Sequence, residues 1–298
     1  MTLPTVPSFG GLSVALPTPF TPEGKVDLLG FRKLLKHVVS GGVDVLMVLA
    51  TTGEAPVLTD AERDALTELT REEAQGCKVV VGSGCNETRQ AVLYAKRAQE
   101  LGADGALIVT PYYNKPTPKG LVAHYQAVAE AAPGLPIIAY NVPGRTGLNI
   151  TPETMAKLWD NPQLVALKES TGNLAQIGEL ARQLPAGKQL LIGDDFAALP
   201  ALALGYAGLV SVAANLVPRQ IKALVDACLR GDFAQARKLH FQLLPLMDAC
   251  FLETSPIPVK AGLSMLGICG DTLRLPLLPA EDDTRACLKA KLKALGAL

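Results

Sequence analysis

Eight short apolar runs separated by helical stretches predict an α/β fold, a (β/α)8 TIM barrel followed by a C-terminal helical extension. Three observations carry this. The runs recur about every 20 to 35 residues, the span of one strand plus one helix. A similar junction returns in Gly42-Val43-Asp44, Gly102-Ala103-Asp104 and Gly205-Tyr206-Ala207, each pairing a helix-ending glycine with the start of a strand. Beyond about residue 230 the strand signals stop and only helical periodicity remains.

Taken in order, the predicted strands are 13–16, 43–49, 78–82, 106–110, 136–140, 164–168, 189–192 and 209–212. Helical spacing between them is clearest over 28–39, 60–74, 88–101 and 119–131, several of these stretches preceded by Asp, Thr or Asn suited to cap a helix. The tail reads as helices over 233–251, 258–266 and 280–295, joined by the Pro-containing segments Ser255-Pro256-Ile257-Pro258 and Leu275-Pro276. These spans divide the chain into a catalytic barrel, 1–231, and an extension, 232–298.

With 28 basic and 28 acidic residues the chain has no field to attract nucleic acid or an anionic membrane, so a small-molecule partner is expected. The six cysteines are scattered without a Cys-x-x-Cys pair, which predicts reduced, buried thiols and no zinc site. No positive segment opens the chain, the first basic residue being Lys25, so a cytoplasmic protein is expected. The longest uncharged stretch, 196–218, is broken by Pro200, Gly205, Gly208 and Asn215 and is not expected to span a membrane.

Lys168 closes the run Leu164-Val165-Ala166-Leu167, where a buried strand has little use for an ammonium group. Burial disfavours the charged form of an amine and leaves more of the free base that attacks a carbonyl to form a Schiff base. Taken alone, the position is better read as an exposed strand end, where a lysine keeps its head in water. The residues that follow the other predicted strands favour catalysis, because a barrel gathers its C-terminal strand ends at one site. They include Thr51 and Thr52, Tyr112, Tyr113 and Asn114, Tyr140 and Arg145, Gly193 and Ser211.

Singly, each has a plainer use. Thr51 and Thr52 suit a turn, Tyr140 a strand with a wet tip, and Arg145 a solvated loop. Asp194 and Asp195 resemble a metal pair, but Asp195 is read as the cap of a helix starting at Phe196. His37, His124 and His240 fall within helical patterns, which argues against a histidine-based triad. Together, the strand-end groups form a coherent set: an amine nucleophile, phenol and hydroxyls for proton transfer, and an arginine for a carboxylate. A 2-oxo acid suits them, since its imine with a lysine is an electron sink that lets the adjacent carbon lose a proton.

At these residues the chain resembles the pyruvate-dependent Schiff-base lyase family, which includes dihydrodipicolinate synthases and sialic-acid lyases. The resemblance runs from Ala15-Leu16-Pro17-Thr18-Pro19-Phe20 through Thr51-Thr52-Gly53-Glu54, Thr110-Pro111-Tyr112-Tyr113-Asn114, Tyr140 to Gly147 and Leu167-Lys168-Glu169 to Pro256-Ile257-Pro258-Val259-Lys260. Arg145 in Gly144-Arg145-Thr146-Gly147 turns it toward the synthases, because the sialic-acid lyases lack that arginine. The resemblance implies that Lys168 forms the imine with pyruvate and that Tyr140, Thr51 and Tyr113 move protons, Tyr113 entering a neighbouring subunit of a homotetramer. It also implies that Thr52 and the backbone at Val210 hold the pyruvate carboxylate, that Gly193 shapes the site and that Arg145 receives L-aspartate 4-semialdehyde. The implied reaction is aldol addition and cyclisation to 4-hydroxy-tetrahydrodipicolinate, toward diaminopimelate and lysine, with no cofactor or metal.

Two departures from the family pattern carry expectations. Ser255 stands where many relatives have Asn, which is expected to change only packing behind the site. Asp60, Arg63 and Gln90 stand where lysine-inhibited relatives carry other ligands, so weak or absent lysine feedback is expected. Another aldolase or hydratase of the family and a non-catalytic keto-acid-binding protein are the alternatives.

Overall fold

The structure, a computed structural model, describes residues 8–298. Eight parallel strands follow one another around a closed barrel: β1 (Gly11–Ala15), β2 (Val45–Val48), β3 (Lys78–Gly82), β4 (Gly105–Val109), β5 (Ile137–Asn141), β6 (Leu164–Glu169), β7 (Gln189–Ile192) and β8 (Gly208–Ser211). Closure comes from the pairing of β8 with β1, from Gly11 with Gly208 to Val14 with Ser211.

Around the barrel lie α1 (Leu28–Ser40), α2 (Asp60–Glu73), α3 (Thr88–Glu100), α4 (Pro118–Ala131), α5 (Pro143–Thr146), α6 (Pro152–Leu158), α7 (Leu174–Arg182), α8 (Ala198–Ala203) and α9 (Pro218–Leu229). The extension contributes α10 (Phe233–Ala249), α11 (Ile257–Met265) and α12 (Asp282–Ala294).

Strands buried on both faces require unbroken apolar runs, and successive residues divide between two cores. Ala15, Met47, Val80, Ile138, Ala166 and Val210 fill the barrel interior. Their neighbours Val14, Leu46, Val79, Ile137, Leu167 and Leu209 belong to the outer core beneath the helices. Each of the Val, Leu, Ile and Met side chains among them contributes about 1.5–3 kcal/mol by leaving water. Leu243, Leu246, Leu288 and Leu292 of α10 and α12 join the same outer core, so the extension packs onto the helical shell.

Capping sets the helix starts. Thr59 and Glu62 form a reciprocal capping box at α2, and Asp27, Thr117, Thr151, Asn173 and Asp232 accept backbone N–H groups at α1, α4, α6, α7 and α10. The second strand is shorter than predicted. The Asp44 carboxylate accepts the Leu12 N–H at 2.7 Å, and Leu49 already turns to a positive φ of 59°. Among the described residues no helix is long and apolar enough to cross a membrane. The uncharged stretch 196–218 holds α8, β8 and short turns.

Candidate active site

The sixth strand does not end at Lys168. It runs on to Glu169, which pairs with Asn141, while Lys168 pairs with Tyr140. Lys168 is only 4% exposed, which removes the reading of a solvated strand end. Its ammonium lies 4.0 Å from the centre of the Tyr140 ring, a distance at which the ring face attracts a cation.

Tyr140 is the link from Lys168 to a cavity of about 520 Å³ at the C-terminal end of the barrel, whose walls include Thr51, Tyr140, Val142, Arg145 and Ser255. Gly193 is packed against Ser170 and the lysine: a Cβ there would meet the Ser170 hydroxyl first and stand 2.8 Å from Lys168 Cε, so a side chain would force both neighbours to move. Thr52 and Val210 are buried. Tyr113 is 90% exposed with a φ of 70° and is not among the residues lining the cavity.

Two carboxylates brace the strand ends. Buried Glu169 accepts Asn141 Nδ2 at 2.9 Å and the Thr171 N–H at 2.8 Å, and burial raises its pKa despite these bonds. Asp195 does not cap the helix that follows it. Its carboxylate accepts the Ser211 hydroxyl and the N–H groups of Val212, at 2.9 Å, and Ala213, at 3.1 Å. The orphan donors of the turn after β8 outcompete those of its own helix, so Asp195 ties the end of β7 to the end of β8. Asp194 is pushed up to about 6 by burial, partly opposed by the charge of Lys168, and so can exchange a proton near neutrality. Among the described residues no cluster of metal-ligating side chains occurs.

The sequence profile of the dihydrodipicolinate synthetase family matches residues 8–295. The chain belongs to that family. It is 45% identical to the 4-hydroxy-tetrahydrodipicolinate synthase of Thermosynechococcus vestitus, across 97% of this chain and 98% of the relative. Identity to the synthase of Maridesulfovibrio salexigens is 44%, across 97% and 99%. The crystal structure of dihydrodipicolinate synthase from Aquifex aeolicus superposes with a TM-score of 0.94 at 43% identity, covering 97% of this chain and 99% of that one.

Within this member of the dihydrodipicolinate synthetase family, Arg145 extends from α5 and donates from Nη2 to the Ser255 carbonyl at 3.0 Å. One donor is spent on orientation, and a guanidinium has four more. Ser255 therefore belongs to the site and not to packing behind it: it lines the cavity, holds Arg145 and keeps a buried hydroxyl with no hydrogen-bond partner. The thiols also differ from expectation, since Cys228 and Cys250 are buried but Cys77, Cys85, Cys269 and Cys287 are partly exposed. His124 lies in α4, where burial lowers its pKa to about 4.

Sequence reasoning gave no role to Glu169, Glu54 or Lys260. A carboxylate closing an apolar run signals Glu169, whereas Glu54 and Lys260 are 206 residues apart and meet only in the fold.

Proposed function

We propose that this chain condenses pyruvate with L-aspartate 4-semialdehyde through an imine on Lys168, and closes the product to 4-hydroxy-tetrahydrodipicolinate. The observation that carries this is a buried lysine against the ring of a tyrosine that lines a cavity whose walls also include Thr51 and an oriented arginine. The Lys168 amine adds to the C2 carbonyl of pyruvate, water leaves, and the imine withdraws electrons so that the methyl group gives up a proton. The enamine carbon then attacks the aldehyde. The amino group of the second substrate adds to the imine carbon, which closes the ring, and the Lys168 amine then leaves to free the product.

The imine is its own electron sink, so no step calls on a metal or organic cofactor. Tyr140 and Thr51 are assigned the proton transfers, and Thr52, with backbone at Val210 and Gly193, the pyruvate end. Tyr113 serves the cavity of a second copy of the chain, an arrangement supported by its near-complete exposure, and the assembly is a homotetramer. A cytoplasmic location is supported by six unpaired thiols.

Arg145 is assigned the carboxylate of the aldehyde substrate. Arg145→Ala should cut kcat/KM for L-aspartate 4-semialdehyde about 10- to 100-fold, the worth of one or two charge-assisted hydrogen bonds. The pyruvate adduct on Lys168, trapped with borohydride and mapped by mass spectrometry, should persist. Unchanged use of the aldehyde would overturn the assignment of the second substrate.

Lysine is a weak inhibitor at most in this proposal. The Arg63 guanidinium lines the cavity, donates to the carbonyls of Gly82 at 2.7 Å and Ala55 at 3.3 Å, and lies 3.9 Å over the Tyr94 ring. A fixed cation there repels another ammonium group. Turnover titrated with lysine should fall only at high concentration; strong inhibition at low lysine would contradict this.

A further inference from the structure

Glu54 ends the turn that carries Thr51 and Thr52, with a left-handed backbone of φ 53° and ψ 34°. A residue with a Cβ adopts that conformation at a cost, so something must hold it. Its carboxylate is gripped on both oxygens: Oε1 accepts Lys260 Nζ at 2.7 Å and Oε2 accepts the Arg274 backbone N–H at 3.3 Å. Lys260 comes from α11, and the two side chains are 0% and 2% exposed.

The Lys260 ammonium is held on other sides as well. Besides Glu54 it donates to the Thr18 carbonyl at 2.8 Å, and it stands 4.3 Å from the centre of the Phe20 ring. Thr18 returns to the same turn, donating its hydroxyl to the Gly53 carbonyl at 2.7 Å. The Arg274 guanidinium lies over Phe20 at 4.5 Å, so the ring sits against two cations. The threonine turn is thus bound at two consecutive residues, by groups from the segment after β1 and from the C-terminal extension.

Fully buried ion pairs are seldom better for stability than apolar residues of the same volume, because both charges lose their water. Apolar packing would hold α11 against the barrel equally well. It would not fix one orientation of a polar turn, which a directional two-oxygen grip does.

We propose that the Glu54–Lys260 pair positions Thr51 and Thr52 for the reaction, so that the helical extension sets the geometry of the pyruvate end of the site. The inference rests on the roles assigned above to these two threonines. Lys260 has no surface on the cavity and acts only through the turn.

The test is a double-mutant cycle of Lys260→Met and Thr51→Val, reading kcat, pyruvate KM, the rate of adduct formation on Lys168 and Tm. Lys260→Met, assayed well below its Tm, should lower kcat/KM for pyruvate about 10- to 100-fold, as a misplacement of about an ångström does. In the Thr51→Val background it should add little, because both changes remove the same placement. Should the single variant fail to fold, Glu54→Gln with Lys260→Met leaves neither charge unpaired and is read in the same way. A lowered Tm with unchanged kcat and KM, or a full additional penalty on top of Thr51→Val, would overturn the proposal. Wild-type kinetics for Thr51→Val would withdraw the role of Thr51 instead, and the same cycle with Thr52→Val then decides the matter on pyruvate KM.

Discussion

Replacing Lys168 with Met should lower turnover by at least about four orders of magnitude, the scale on which deletion of a covalent nucleophile acts. No reduced pyruvate adduct should appear anywhere on the chain after borohydride. Methionine is unbranched and of similar length, and it fills a 4% exposed site beside the Tyr140 ring without leaving a cavity, so the variant should remain folded. The loss is then chemical. The result also distinguishes Lys168 from the other deeply buried lysine. Lys260 is tied to Glu54, the Thr18 carbonyl and the Phe20 ring, and freeing its amine would strand a buried carboxylate. An adduct that moved to Lys260 in Lys168→Met, or turnover that survived, would remove the imine from Lys168.

What made Lys168 legible in sequence was contrast: one cation at the end of an apolar run, on a chain whose seven other runs all end in uncharged residues. The strands were legible for a related reason, since burial on both faces leaves a continuous apolar signature that needs no knowledge of partners. Arg145 was visible as an isolated charge in a glycine turn, but its grip on the Ser255 carbonyl was not, because the two lie 110 residues apart. At that distance in sequence nothing connects Ser255 with the arginine that its carbonyl holds.

Asp195 shows the same limit at short range. A carboxylate before a helical stretch fits a cap, and only the closed barrel brings the donors of Val212 and Ala213 close enough to outcompete the local ones. The Glu54–Lys260 pair joins two regions whose sequences each look ordinary, a glutamate in a turn and a lysine on a helix. Register and closure create such contacts, and residue type alone does not announce them.

Tyr140→Phe should reduce kcat about 100- to 10,000-fold, the range expected when a positioned general acid–base is removed. The substitution deletes one oxygen and keeps the ring, so the 4.0 Å contact with the Lys168 ammonium and the packing of Tyr140 within the inner core are retained. Its signature should differ from that of Lys168→Met. With prolonged incubation the borohydride-trapped adduct should still reach Lys168, more slowly, because the amine remains and only the proton traffic around it is impaired. Slow adduct formation with little turnover separates the tyrosine's work from the lysine's. If instead Tyr140→Phe turned over at the parent rate, the phenol would be a wall of the cavity and the proton transfers would fall to Thr51, Asp194 or water.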